Sequence, residues 1–158
     1  MKNSYEKITL ILCAISVIVL LFLLFDYNQT IHYKLEAIEK KALLTAAKSF
    51  FDVCSLAICS LLWLWVNFIV FKTKQLFWLW LPFVFVCFCM YYSSKMGNTI
   101  FIFQKQNNMW NGSFSIGYIA GIVGILFVGI ILWIDYLILK KNIERIYKSK
   151  DLNKFDEN

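Results

Sequence analysis

The sequence predicts an all-α integral membrane protein that forms a four-helix bundle. Of its 158 residues, 60% are hydrophobic, against roughly 45–50% in soluble domains, and most of them lie in four long apolar runs. One proline and six glycines leave few helix breakers, which disfavours folds that need many turns. Aromatic residues reach 18%, a level typical of side chains that line the two interfaces of a membrane.

The first apolar run, residues 8–25, follows Lys2 and Lys7 and is interpreted as a retained membrane anchor. A signal peptide is disfavoured because the run is longer than the usual ~7–15 apolar residues and no small-residue cleavage site follows it. The next polar stretch begins at Asp26, where the chain leaves the predicted span.

The second and third spans are expected at residues 49–71 and 76–92. Only four polar residues separate them, which is enough for a tight connection, so the two spans should form an antiparallel hairpin. The fourth span is expected at residues 114–139, and the tail at 140–158 should begin as a helix. These elements make one membrane domain, and the loop at 93–112 shows no pattern that specifies a conformation.

The first outer loop contains a predicted surface helix. Leu35, Ile38, Ala42 and Thr45 recur at spacings of three and four, so they share one helical face. We expect a short amphipathic helix that lies against the membrane surface and continues into the second span. Two contacts remain open for this helix, with lipid or with protein.

The basic residues predict the orientation, because cytoplasmic loops carry an excess of Lys and Arg. With the amino end inside, ten basic residues face the cytoplasm and six face outside. We therefore expect both termini in the cytoplasm. No cysteine lies in a predicted outer loop, which argues against claudins and tetraspanins, whose outer loops carry disulfides, and favours the inner membrane of a bacterium. The residues expected at the inner surface, in contact with lipid headgroups, include Lys72, Lys74, Lys140, Lys141 and Arg145. At the outer start of span two, Lys48 and Asp52 should form an i,i+4 pair.

Enzymatic chemistry has no support in the sequence, so no catalytic, cofactor-binding or metal-ligating residue is predicted. The sole histidine, His32, has no neighbouring cluster of metal-binding residue types. Cys87 and Cys89 would point about 200° apart on a helix, and all five cysteines are interpreted as small packing residues. The basic residues lie between the spans and in the tail, which disfavours nucleic acid as a partner and favours the lipid bilayer.

Small residues are concentrated in the fourth span, where they would let another helix approach closely. They are Gly117, Ala120, Gly121, Gly124 and Gly129. Two explanations remain open: packing against the other three spans, or a face for a second copy or another membrane protein.

Asp135 is the most informative polar residue, because a carboxylate at the membrane centre costs roughly 2.5–3.5 kcal/mol and needs a partner. It should either reach the interface and pair with Lys72, Lys74 or Lys140, or contact a lumen or partner protein. Asn67 lies near the same depth on span two and is a candidate hydrogen-bond partner.

The layout resembles the inner-membrane immunity proteins that protect a producing cell against pore-forming colicins of the colicin A type. The likeness rests on residues 48–71 running into Lys72, Thr73 and Lys74, and on the terminal Lys140 and Lys141. It covers most of the chain as topology. The resemblance implies four spans, both ends in the cytoplasm, and recognition of the toxin's hydrophobic hairpin within the bilayer, which blocks pore opening.

The function expected from these observations is non-enzymatic and depends on helix–helix contacts in the bilayer, with immunity to a pore-forming bacteriocin as its concrete form. One alternative is a homo-oligomeric channel or permeability effector assembled through the small residues of span four. Another is an accessory subunit of a membrane complex. A membrane-potential dye distinguishes the channel from the immunity protein, because expression of a channel would change the membrane potential.

Overall fold

The computed structural model describes the backbone of residues 2–109 and 117–155 and the side chains of residues 4–109 and 122–146. This part of the chain is helical, and each of its four α-helices is long and apolar enough to cross a membrane. The elements are α1 (Lys2–His32), α2 (Ala37–Thr73), a short 3-10 helix (Leu76–Leu79), α3 (Trp80–Gln106) and α4 (Gly117–Phe155). The prediction of an all-α chain with four apolar helices is confirmed.

Helix α2 is much longer than the span predicted within it. Its 37 residues correspond to about 55 Å, whereas the hydrocarbon core of a bilayer is about 30 Å thick. No glycine or proline interrupts it, and Leu44 and Phe51 are fully buried along its first half. Residues 37–48 begin α2, so the expected continuity of this segment with the second span is confirmed.

The connection between α2 and α3 is as tight as the sequence predicts. Lys74 has a positive φ of 61°, and its backbone N–H donates to the carbonyl of Val70, which ends α2. The 3-10 helix follows after Gln75 and leads directly into α3. Pro82 lies in the first turn of α3, where a missing backbone N–H removes no hydrogen bond from the helix.

Helix α3 continues to Gln106, through residues for which the sequence specified no conformation. Met96 and Ile100 are buried in this extension, and the Tyr27 hydroxyl donates to the carbonyl of Met96 over 3.0 Å. These contacts with the end of α1 explain why a polar stretch remains helical. Lys48 and Asp52 form the predicted i,i+4 ion pair on α2 beside it, so that prediction is confirmed.

The helices pack in chain order: α1 on α2, α2 on α3, and α3 on α4. Within the described residues α1 and α4 do not approach each other, so they are the two edges of the arrangement. α4 is the less buried edge. Only 6% of its most apolar 18-residue stretch is buried, against 33% for α2.

Candidate functional site: an acidic contact on an edge helix

Asp135 lies half-buried on α4, where the helix faces α2. The indole Nε1 of Trp63 on α2 donates to its Oδ2 over 3.2 Å. Val66 and Val70 of α2 pack nearby against Tyr136 of α4, so the polar contact borders an apolar cluster. A neutral donor satisfies part of the carboxylate without removing its charge.

Among the described residues, none of the partners expected for Asp135 forms an ion pair or a hydrogen bond with it. The one ion pair among residues 4–109 and 122–146 joins Lys48 to Asp52, so Lys72, Lys74 and Lys140 form no ion pair with this carboxylate. Trp63 takes the place of these cations. Its position near one end of a predicted span was visible in the sequence, but the direction of its indole was not.

Asn67, the other predicted polar residue, lies one turn after Trp63 on α2. Its Oδ1 is buried and has no hydrogen-bond partner. A buried unpaired acceptor costs about 1–3 kcal/mol, because its hydration is lost and nothing replaces it. Asn67 also forms no hydrogen bond with Asp135 among the described residues, where the one donor to that carboxylate is Trp63.

The basic residues named as headgroup contacts lie at the same end of the protein as Asp135. Lys72 lies over the ring of Phe68 at 5.7 Å, and Lys74 lies over the ring of Phe71 at 4.4 Å, both distances taken from Nζ to the ring centroid. On α4 the corresponding side chains are exposed; they belong to Lys140, Lys141 and Arg145. Five cations thus surround the cytoplasmic end predicted from charge.

The small residues of α4 are only partly described. A Cβ at Gly124 would lie 2.6 Å from Cε of Met90, and one at Gly129 would lie 3.8 Å from Phe83, so both glycines face α3. Gly117, Ala120 and Gly121 are helical, but their surroundings lie outside the described residues. For Gly124 and Gly129 the structure shows contacts within the chain.

Two further contacts between helices, besides those of Tyr27 and Trp63, were also not predicted from the sequence. The Sγ atoms of Cys59 on α2 and Cys89 on α3 lie 3.9 Å apart, and both thiols are free. Trp65 of α2 donates to the hydroxyl of Thr9 on α1 over 3.1 Å. Spacing along one helix carries no information about which side chains meet between helices, so no sequence signal indicated either pair.

The site therefore offers a partly satisfied carboxylate and a buried unpaired amide oxygen at the junction of an edge helix with α2. Both groups are acceptors, so the chemistry available is the binding of a donor or a cation. Comparison with known protein families, with curated proteins and with solved structures finds no match to this chain.

Proposed function

We propose that this protein is a non-enzymatic membrane protein that acts through helix–helix contacts in the bilayer and gives immunity to a pore-forming bacteriocin. The observation that carries the proposal is Asp135. Its carboxylate can accept about four hydrogen bonds, and one donor, Trp63, contacts it. A second protein that brings a hydrogen-bond donor or a cation to this carboxylate would form a polar contact in the apolar interior of the bilayer. Such a contact would stabilise the complex.

The exposure of α4 supports the same proposal. Apart from its contacts with α3, α2 and the 3-10 helix, α4 presents large apolar side chains to its surroundings, among them Leu126, Phe127 and Ile130. Association of helices in a bilayer is driven by packing and by polar contacts between them. An edge helix that combines a free apolar surface with an acidic residue offers both.

The orientation belongs to the proposal as well. Both termini face the cytoplasm of a bacterium, because ten basic residues then lie inside against six outside. In this orientation residues 37–48 of α2 stand at the outer surface of the inner membrane. The topology-level resemblance to immunity proteins of the colicin A type supplies the concrete partner, the hydrophobic hairpin of a pore-forming toxin.

A protection assay tests the proposal. Sensitive bacteria that carry the gene are exposed to a panel of purified pore-forming bacteriocins and scored for survival. We expect protection against at least one toxin, and we expect Asp135→Leu to remove it while the amount of protein in the membrane stays equal or rises. Asp26→Leu is the matched control, because Asp26 is an exposed acid at the end of α1, far along the chain from α4.

Equal killing across the panel, with the protein present in the membrane, would count against immunity. Full protection by Asp135→Leu would exclude the acidic contact as its basis. A membrane-potential dye recorded in the same cells without toxin separates immunity from the channel hypothesis. Immunity predicts an unchanged potential on expression.

A further inference from the structure

An apolar groove runs between the 3-10 helix with the beginning of α3 on one side and the middle of α4 on the other. Its volume is about 370 Å³, and it is open to the protein surface. Leu79, Trp80 and Phe83 form one wall, and Gly129 and Trp133 are on the other. The missing side chain of Gly129 leaves room beside Phe83. In a bilayer, a groove of this composition accepts an acyl chain.

The groove carries a marker of the membrane interface. The indoles of Trp80 and Trp133 are each more than 60% exposed while they line it. Trp rings prefer the headgroup level, where one side is apolar and the other is hydrated. Leu76 and Tyr136 form the end of the groove that is next to Lys74 and Lys140 in the chain, and this is the end at which a bound lipid would place its headgroup.

Lys140 lies at that end of the groove, on the face of α4 that lines it. At ~100° per residue, Lys140 lies about 20° from Gly129 around the helix axis, one turn beyond the groove residue Tyr136. Lys141 lies about 120° from Gly129 and faces elsewhere. Lys140 is exposed and forms no ion pair within the described residues, including with Glu144 one turn further. Its charge is available to an anionic group.

We propose that the groove and Lys140 together bind one anionic phospholipid, with an acyl chain between α3 and α4 and the phosphate at the ammonium group. Charge complementarity selects the occupant: an apolar groove alone fits any lipid, but a cation at its interfacial end favours an anionic headgroup. The site is independent of the acidic contact, since Asp135 faces α2. It is also independent of toxin binding.

The test uses the full-length protein in mild detergent, titrated with phosphatidylglycerol or with phosphatidylcholine of the same acyl chains, and native mass spectrometry to count bound lipids. We expect preferential binding of one phosphatidylglycerol. Lys140→Gln should weaken that binding about fivefold and leave phosphatidylcholine unaffected. Lys141→Gln is the matched control, because it removes the same charge from the same helix outside the groove.

A second pair of variants tests the groove itself. Gly129→Trp fills it and should reduce the binding of both lipids, whereas Ile130→Trp adds the same ring on an exposed face and should not. Equal losses from the two lysine variants would overturn the proposal, because they would indicate attraction by net charge. Unchanged phosphatidylglycerol binding in folded Gly129→Trp would overturn it too. The lysine pair decides the question without Gly129→Trp, since both side chains are exposed and unpaired.

Discussion

Trp63 and Asp135 are 72 positions apart in the chain, yet the indole Nε1 of one donates to the carboxylate Oδ2 of the other over 3.2 Å. The contact joins α2 to α4, two helices that touch each other much less than either touches α3. A single polar contact therefore fixes part of the position of the edge helix. Loss of this contact should weaken the packing of α4 against α2 and lower the free energy of unfolding.

We predict that Trp63→Phe lowers the free energy of unfolding by about 0.6 kcal/mol, the average for polar contacts between membrane helices, with about 1.7 kcal/mol as the upper bound. The substitution keeps a ring but removes the donor, so the carboxylate loses its one hydrogen bond. Denaturation of the purified protein in detergent measures the change. Trp133→Phe is the control, since its indole nitrogen has no hydrogen bond in the described structure. Equal effects of the two variants would contradict the prediction.

The contact of Gly124 with Met90 predicts a size limit on α4. Gly124→Leu should destabilise the protein by about 1–3 kcal/mol, because its isobutyl group would extend into space that Met90 fills, whereas Gly124→Ala should cost little since the flexible end of Met90, 2.6 Å from the new Cβ, can move. Shortening the partner in Gly124→Leu/Met90→Ala should restore part of the loss. Gly129→Ala should be near neutral, since its Cβ meets Phe83 at 3.8 Å. The same unfolding assay measures all of these variants, and the absence of any rescue would place the clash elsewhere.

The thiols of Cys59 and Cys89 are predicted to cross-link α2 to α3 under a membrane-permeant oxidant such as iodine. Their Sγ atoms are 3.9 Å apart, so a small movement brings them to bonding distance. Trypsin cleavage at Lys72 or Lys74 then leaves fragments that stay joined on a non-reducing gel and separate when reduced. Cys59→Ser should abolish the link, and Cys54→Ser should not. Separate fragments in oxidised wild type would contradict the contact.

The spans could be predicted because the bilayer imposes a simple rule on sequence: long apolar runs must be helical and must be about 20 residues long. Residues 76–92 and the tight connection before them follow directly from that rule. The rule does not predict where a helix ends once the chain has left the membrane. The extension of α3 to Gln106 depends on Met96 and Ile100 packing against neighbours, which no local pattern reveals.

The candidate site was predicted in composition but not in geometry. Asp135 stands out in the sequence because a charge within an apolar run is costly wherever it points. The sequence does not identify the partner of Asp135, because Lys72, Lys74 and Asn67 are all expected at a similar depth in the membrane. Only the rotation of α2 about its axis places the indole of Trp63 at the carboxylate, and leaves Oδ1 of Asn67 unpaired.

The sequence by itself determined that the chain has four apolar helices, that α2 and α3 form a hairpin, and that α4 carries the acidic residue. Each of these depends on the order of residues along one segment. The tertiary structure decided which helices touch, that α1 and α4 are edges, and that a groove lies between α3 and α4. The physical reason is that contacts between helices depend on how each helix is rotated and offset against its neighbour. That is fixed by the packing of all side chains together.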